Sequence, residues 1–572
     1  MKSTSLSANM LRTLALLGVF AIGSFDAQAQ YPKVPKAVSR EAAKAQALAK
    51  ASSDAAFEKA LPSINAWALK GKPYRPEAAK PEDLPQATIP AFPGAWGGGM
   101  YSFGGRGGKT FVVSNLNDRG PGSFREACEA GGPRVVLFNV AGIIHLKEVL
   151  SIRAPYITIS GATAPGDGVC IAGETVEIDT HDVVLRHLRF RRGETWVGSR
   201  NDALGGNPIG NIMIDHVSAS WGLDENISMY RHMFDHDNDP ETSPLKLPTV
   251  NITIQHSISS ECLNPYNHSF GSTIGGLNST FHHNLWACNA GRNPSVGMYG
   301  DFTFVNNVLF NWRHRTVDGG DHRSIFNIIN NYLKPGPMTS LEKPVSYRFV
   351  KPESERSKTV VDHFGKAYVA GNIAAGNEAV TQDNWNGGVQ PDSQAPVETV
   401  LPNIRLAEPH PHAPLQIESA DGAFETVLTS SGATRPRRDA VDERIVRVVR
   451  SGKPETTVTD GITESLAHTG YNDELIQRIT SAVAKGIITH PDQVGGYPNY
   501  QGTPYADADG DGLPDGWEVR HKLDPNDPKD ATLDNDADGY STIEEFIHGT
   551  NPSDYVDYTD LKNNVDPFQT EE

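Results

Sequence analysis

Only four cysteines occur in 572 residues: Cys128, Cys170, Cys262 and Cys288. They allow three pairings, and the sequence does not choose among them. Cys262 and Cys288 lie about one repeat apart and are placed to stack and pair; buried free thiols are the alternative. Past the N-terminus no apolar run is long enough to cross a bilayer, which excludes membrane-spanning helices. No basic stripe or recognised binding motif is present, which excludes nucleic acid as a partner. The glycine-rich PGAWGGGMYSFGGRGGKTF, 93–111, lacks both G-x-x-x-x-G-K-[ST] and a strand–G-x-G-x-x-G–helix setting. It therefore reads as a set of tight turns, not a phosphate loop.

At the N-terminus, Lys2 and Arg12 precede the apolar LALLGVFAIGSF, and Ala27-Gln28-Ala29 follows. A charged segment, an apolar segment and a small-residue site make residues 1–29 a signal peptide. The expected product is secreted: extracellular, or periplasmic if bacterial. Export permits disulfides.

The net charge of -18 is concentrated at one end. From Asp507 to Glu572 there are 19 Asp/Glu against 4 Lys/Arg, a net of -15, so the rest of the chain is near -3. The acidity belongs to a C-terminal module. A near-neutral body still admits an anionic substrate, because local clusters decide binding.

Residues 30–92 read as an Ala/Lys/Glu-rich helix over 33–60, then a Pro-rich arm over 71–92. From residue 134 a pattern recurs: RVVLFNV, YITISG, DVVLRHLRF, NIMIDHV, NITIQHS, STFHHNLW, DFTFVNNVLF, IFNIINNYL, AYVAGNIA. Most starts lie 22–29 residues apart, with longer gaps where loops are inserted. Short β-branched strands at this period, with Gly/Asn turns and no helical pattern between them, predict an all-β fold, a parallel β-helix over 93–380. A β-sandwich would show turns every 8–12 residues. Asn284, Asn307, Asn331 and Asn372 recur at one turn and predict a ladder of amides bonded between coils. Asp215 and His216, adjacent on a strand, are expected on opposite faces, unable to act on one group. His216 and the His282-His283-Asn284 phrase are read as structural.

The stretches FPGAWGGGMYSFGGRGGKTFVVSNLNDRGPGSFREA, NIMIDHVSASWGLDENIS and STFHHNLWACNAGRNP resemble the pectate lyases of polysaccharide lyase family 1. The resemblance covers about residues 90–380. It implies a right-handed parallel β-helix that cleaves polygalacturonate by β-elimination, with calcium and an arginine. Arg292, in Arg292-Asn293-Pro294, matches the catalytic arginine. Asp202 and Asp224 match calcium-binding acids, and Glu225 stands beside them; hard carboxylate oxygens suit calcium. The chain departs from the family pattern at four places. Arg200 and Ser228 stand where acids are common, His268 is nearest to the substrate-binding lysine, and Gly297 replaces a second arginine. Arg313, Arg315 and Arg323 are candidates to bind the anionic substrate instead.

Elimination from a uronide needs a base at C5, a neutralised carboxylate and help for the leaving oxygen at C4. A metal ion supplies the second as a Lewis acid. Arginine is a poor base, with a pKa above ~12. Arg292 must therefore sit where the neutral form is favoured, or else fork onto the uronate carboxylate.

The C-terminal module carries a separate signal. DADGDGLPDGWE, 507–518, places Asp507, Asp509, Asp511, Asp515 and Glu518 at EF-hand positions 1, 3, 5, 9 and 12. DNDADGYSTIEE, 534–545, repeats this with Asp534, Asp536, Asp538, Thr542 and Glu545. The pair, within 501–572, resembles thrombospondin type 3 or dockerin-like calcium repeats. Residues 381–500 read as loops plus one helix near HTGYNDELIQRITSAVAKGI that packs on the solenoid.

A secreted monomeric lyase of acidic pectin, with Ca²⁺ as cofactor, is the expectation. A lyase for methylated pectin or another uronate, a glycosidase, and a non-catalytic calcium-stabilised adhesin are the alternatives.

Overall fold

β-Branched residues fit a pleated, half-buried surface, and here they build three parallel sheets of ten, nine and eight strands. The computed structural model describes residues 33–569, except 238, 240, 356–359 and 458–469. The expected signal peptide lies outside the described residues. Strands run from Lys109–Val113 to Ile373–Ala374, and those of the three sheets pair with their counterparts one coil away, while Arg231–Phe234 and Leu245–Pro248 form a separate antiparallel hairpin. This is the right-handed parallel β-helix; parallel crossovers take that hand.

Register explains the core. In the ten-stranded sheet Ile157, Val183, Ile212 and Ile252 align and point inward, all fully buried. Each such side chain contributes roughly 1.5–3 kcal/mol. The alternate column, Thr158, Val184, Met213, Thr253 and Thr280, points outward yet is buried too. Its cover is the glycine-rich segment. Gly99 N donates to Thr253 Oγ1 at 2.9 Å and Gly98 N to Thr280 Oγ1 at 3.1 Å. A Cβ on Gly98 would meet Asn278 O at 1.8 Å. The expected tight turns are thus also a backbone sheet-cover that only glycine permits.

The asparagine ladder forms as expected. Asn284 N donates to Asn307 Oδ1, Asn307 N to Asn331 Oδ1 and Asn331 N to Asn372 Oδ1, at 2.8–3.0 Å. Asn384, which the repeat did not announce, caps the row by accepting from Asn372 N at 2.9 Å.

The Asp215–His216 expectation is corrected. His216 has a left-handed φ of 50°, which ends the strand's alternation and turns its ring back. His216 Nδ1 lies 2.9 Å from Asp215 Oδ1. The bond is structural, but the two side chains do meet. All four cysteines are free and buried, so Cys262 and Cys288 do not pair; Cys262 Sγ instead points to Gly222 O at 3.1 Å.

The N-terminal helix spans Lys36–Ala68, past the expected end and through Pro62, and seats Ala60 and Ile64 on Ala154. The Pro-rich arm is tied down where Asn211 and Asn251 donate to Pro85 O and Pro81 O. The expected helix near 468–487 is Asp473–Val483. Between 381 and 457 the chain also holds helices Val397–Ile404, Ala420–Ser430 and Ala440–Ser451. This corrects the expected loops: Val427, Leu428, Ile445 and Val448 pack on Ile258, Leu285 and Val308 of the nine-stranded sheet.

Candidate active site

The eight-stranded sheet positions the site. The turns leading into Leu204–Gly206, Glu225–Met229, Phe270–Ile274, Ser295–Val296 and Val317–Gly319 carry Asp202, Asp224, His268, Arg292 and Arg315 in turn. These residues are far apart in sequence and stacked in space, because Glu225 pairs with Phe270 and Phe270 with Gly291. Coils are spaced by about 4.8 Å. Arg292, with φ of 51°, reaches back across the Phe270 coil. Its guanidinium carbon sits 4.3 Å from the Phe270 ring centre, and Nη1 makes an ion pair with Glu225.

Three carboxylates converge beyond it. Oxygens of Asp202, Asp224 and Glu225 lie within 4.8 Å of one another. Glu225 N donates to Asp202 Oδ1 at 2.9 Å, and Thr273 Oγ1 donates to Glu225 Oε1 at 2.7 Å. Asp224 makes an ion pair with His268. Burial, then the Glu225 and Asp224 charges, push the Asp202 carboxyl well above its usual range. Burial raises Asp224 as well, but the His268 hydrogen bond and charge bring it below the usual range. For Arg292, burial works downward, but the Glu225 and Asp224 carboxylates outweigh it and raise the pKa. An oxygen-only set with one strained carboxyl fits a hard divalent cation.

Phe270 is the residue the sequence did not flag. His268, Arg292 and Arg315 all face its ring, at 4.1, 4.3 and 5.9 Å. Arg315 pairs with Asp318 at 2.9 Å. Arg313 is half-buried and donates to Asn267 Oδ1 at 3.2 Å, and desolvation lowers its pKa to about 10. Arg323 lies past the other end of Val317–Gly319, paired with Asp321 at 2.7 Å and stacked on Tyr299. Gly297 has a physical reason: a Cβ there would lie 2.2 Å from the Tyr230 ring.

The C-terminal loops form separate oxygen clusters. Asp507, Asp509 and Asp511 converge, and Asp511 also converges with Glu518 and Asp530, each set within 4.8 Å. Asp530, outside the loop spacing, was not legible as part of it. Asp509 Oδ2, Asp511 Oδ2, both Glu518 oxygens and Asp530 Oδ1 are buried with no hydrogen-bond donor among the described residues. The second loop leaves Asp536 Oδ2 and both Glu545 oxygens in the same condition. Asp534 and Asp538 receive backbone N–H groups from Gly539 and Tyr540. Asp515 accepts from Ala508 N at 2.8 Å, bracing the first loop. Thr542 Oγ1 donates to Leu533 O at 3.0 Å. Buried bare carboxylate oxygens fit a cation, since an unpaired buried charge is otherwise costly.

Residues 507–528 match the family model for the Bacterial TSP3 repeat. The chain is 32% identical over 478 residues to probable pectate lyase C of Aspergillus flavus, covering 82% of this chain and 96% of the relative. Identity to probable pectate lyase C of Aspergillus oryzae is 31%, with the same coverage. Among solved structures, Jun a 1, the major allergen from cedar pollen, superposes with a TM-score of 0.39 at 15% identity, over 59% of this chain and 92% of that one. A pectate lyase from Bacillus sp. N165 in complex with trigalacturonate gives 0.38 at 14% identity, over 59% and 98%.

A parallel solenoid whose inserted turns set an arginine against three carboxylates is the architecture of a polysaccharide lyase. The chain belongs to the pectate lyase family. An adhesin without catalysis is thereby set aside.

Proposed function

We propose that the protein is a secreted lyase that cleaves pectate by calcium-assisted β-elimination, giving 4,5-unsaturated oligogalacturonides. The observation that carries this is the Arg292 guanidinium laid across Phe270 onto Glu225, beside Asp202 and Asp224. In the reaction the C5 proton passes to the base, its electron pair forms the C4–C5 double bond, and the C4–O bond breaks toward the leaving oxygen, which takes a proton.

Asp202, Asp224 and Glu225 would hold the calcium, which supplies Lewis-acid neutralisation of the uronate carboxylate and so acidifies C5. Arg292 is the base. Its contact with Glu225 favours the charged form, while burial against Phe270 favours the neutral one. Release of Glu225 from Arg292 therefore moves the guanidinium toward its basic form. Arg315 and His268, on the same ring, are placed to take a neighbouring uronate carboxylate. Among the described residues no helix is long and apolar enough to cross a membrane, and the A-x-A site puts the mature N-terminus at Gln30. The TSP3-type module binds calcium for stability through the bare oxygens of its loops.

The test is ultraviolet absorbance of the conjugated uronide on polygalacturonate, with calcium or with a chelator. A steady rise abolished by the chelator is expected. New reducing ends without absorbance would mean hydrolysis and overturn the reading; faster cleavage of methylated pectin would transfer it to that substrate.

A further inference from the structure

A second cluster lies on a different sheet, at the turns that leave the ten-stranded one. Asp215, Gln255, His282 and Val305 are in register, so the next residues, His216, His256, His283 and Asn306, also align. His187 joins them, because Arg186 pairs with Asp215. All five take left-handed φ of 45–56°, and the imidazoles stack at 4.8–5.0 Å. His216 is engaged by Asp215. At the His283 end the stack opens on a cavity of about 280 Å³ lined by His256, His282, His283, Gln416, Glu418 and Asp566.

The nitrogen chemistry there is specific. His283 Nε2 lies 3.0 Å from Glu418 Oε1. A carboxylate only accepts, so this nitrogen carries a proton, and in the neutral ring Nδ1 holds the lone pair. His282 Nδ1, 2.8 Å away, then donates to that lone pair, which leaves the lone pair of its own ring on Nε2. His282 Nε2 and His256 Nδ1 have no hydrogen-bond partner among the described residues, although both rings are more than nine-tenths buried. One ring nitrogen from each of the three lies within 4.8 Å of the others. Tetrahedral zinc, with Zn–N of about 2.0–2.1 Å, sets ligand nitrogens about 3.3 Å apart, so closing the set takes ring rotations in which the metal replaces the hydrogen bond between His282 Nδ1 and His283 Nδ1. A histidine that ligates a metal commonly gives its other N–H to a carboxylate, as His283 does to Glu418.

We propose that His256, His282 and His283 form a site for a borderline divalent cation of the zinc class, oriented by Glu418 and open to the cavity. Imidazole nitrogen suits zinc, copper or nickel, whereas calcium takes oxygen. The site is separate from the carboxylates at 202, 224 and 225 and from the C-terminal loops.

The experiment uses the untagged full chain, saturated with calcium and titrated with zinc against a chromophoric chelator. One zinc per chain is expected, and cobalt in its place should give the visible bands of nitrogen ligation. His256→Asn and His283→Asn are suited to test it, because Asn306 and Asn330 already occupy that turn position with φ of 56° and 51°. Each should weaken zinc binding at least tenfold while leaving far-ultraviolet circular dichroism unchanged. Glu418→Gln should weaken it by about 10–100-fold, the range for a supporting carboxylate. Asp202→Asn should leave it unaltered. Zinc binding that is absent, or equal in the wild type and the His256→Asn/His283→Asn double variant, would overturn the proposal.

Discussion

The Arg292 guanidinium and the Glu225 carboxylate, 67 residues apart in sequence, form an ion pair across the ring of Phe270. The pair holds the arginine charged at rest and ties the expected base to the expected metal ligands, so perturbing either residue changes both.

Arg292→Lys should leave the fold and melting temperature nearly unchanged while lowering kcat by about 10²–10⁴-fold, the usual contribution of a positioned base. The initial rate of unsaturated-uronide absorbance measures it. Lysine keeps the charge but loses the planar fork. A rate within a few-fold of wild type would remove Arg292 from the chemistry.

Asp202→Asn should raise the calcium needed for half-maximal rate by roughly tenfold, about 1.4 kcal/mol of binding. The same change should raise the melting temperature in chelator. The carboxyl's pKa is raised by burial and by Glu225 and Asp224, so ionising it without a cation costs stability. A calcium titration and a thermal melt read the two effects, which have opposite signs.

The C-terminal module predicts a pH dependence. Burial and then neighbouring carboxylates push Glu518 and Asp511 up to about 7 and Glu545 to about 9. For an acid raised in the folded state, the stabilisation is complete below the unfolded pKa and is lost as pH rises through the folded one. In chelator the module should therefore lose stability between about pH 4 and pH 9, whereas calcium should flatten the profile. Melting followed by the fluorescence of Trp517, which packs against Phe546 in this module, measures it.

Asn307→Ala removes an amide that accepts from Asn284 and donates to Phe281 O at 2.9 Å. It should destabilise the solenoid by about 1–3 kcal/mol, because buried partners are left unpaired. Denaturant midpoints at unchanged slope would show this.

The convergence of the C-terminal carboxylates was legible because their spacing is local: twelve consecutive residues fix most of each cluster. The asparagine row was legible because a coil repeats its turn chemistry. Phe270 and Asp530 were not, since each matters only through what lies beside it: Gly291 on the next coil for one, the Asp511–Glu518 pair for the other. Asp215 and His216 misled because a left-handed turn residue breaks the alternation that a strand would impose. The helices at Ala420–Ser430 and Ala440–Ser451 went unseen because their Val- and Thr-rich phrases, such as FETVLTS and RIVRVV, favour strands by composition alone.

Arg106 donates to Glu544, 438 positions later, and Gly94 N donates to Asn564 at 2.7 Å. The glycine-rich cover over the threonine column is thus latched from the far end of the chain, and a chain cut before Glu544 would lack both fasteners.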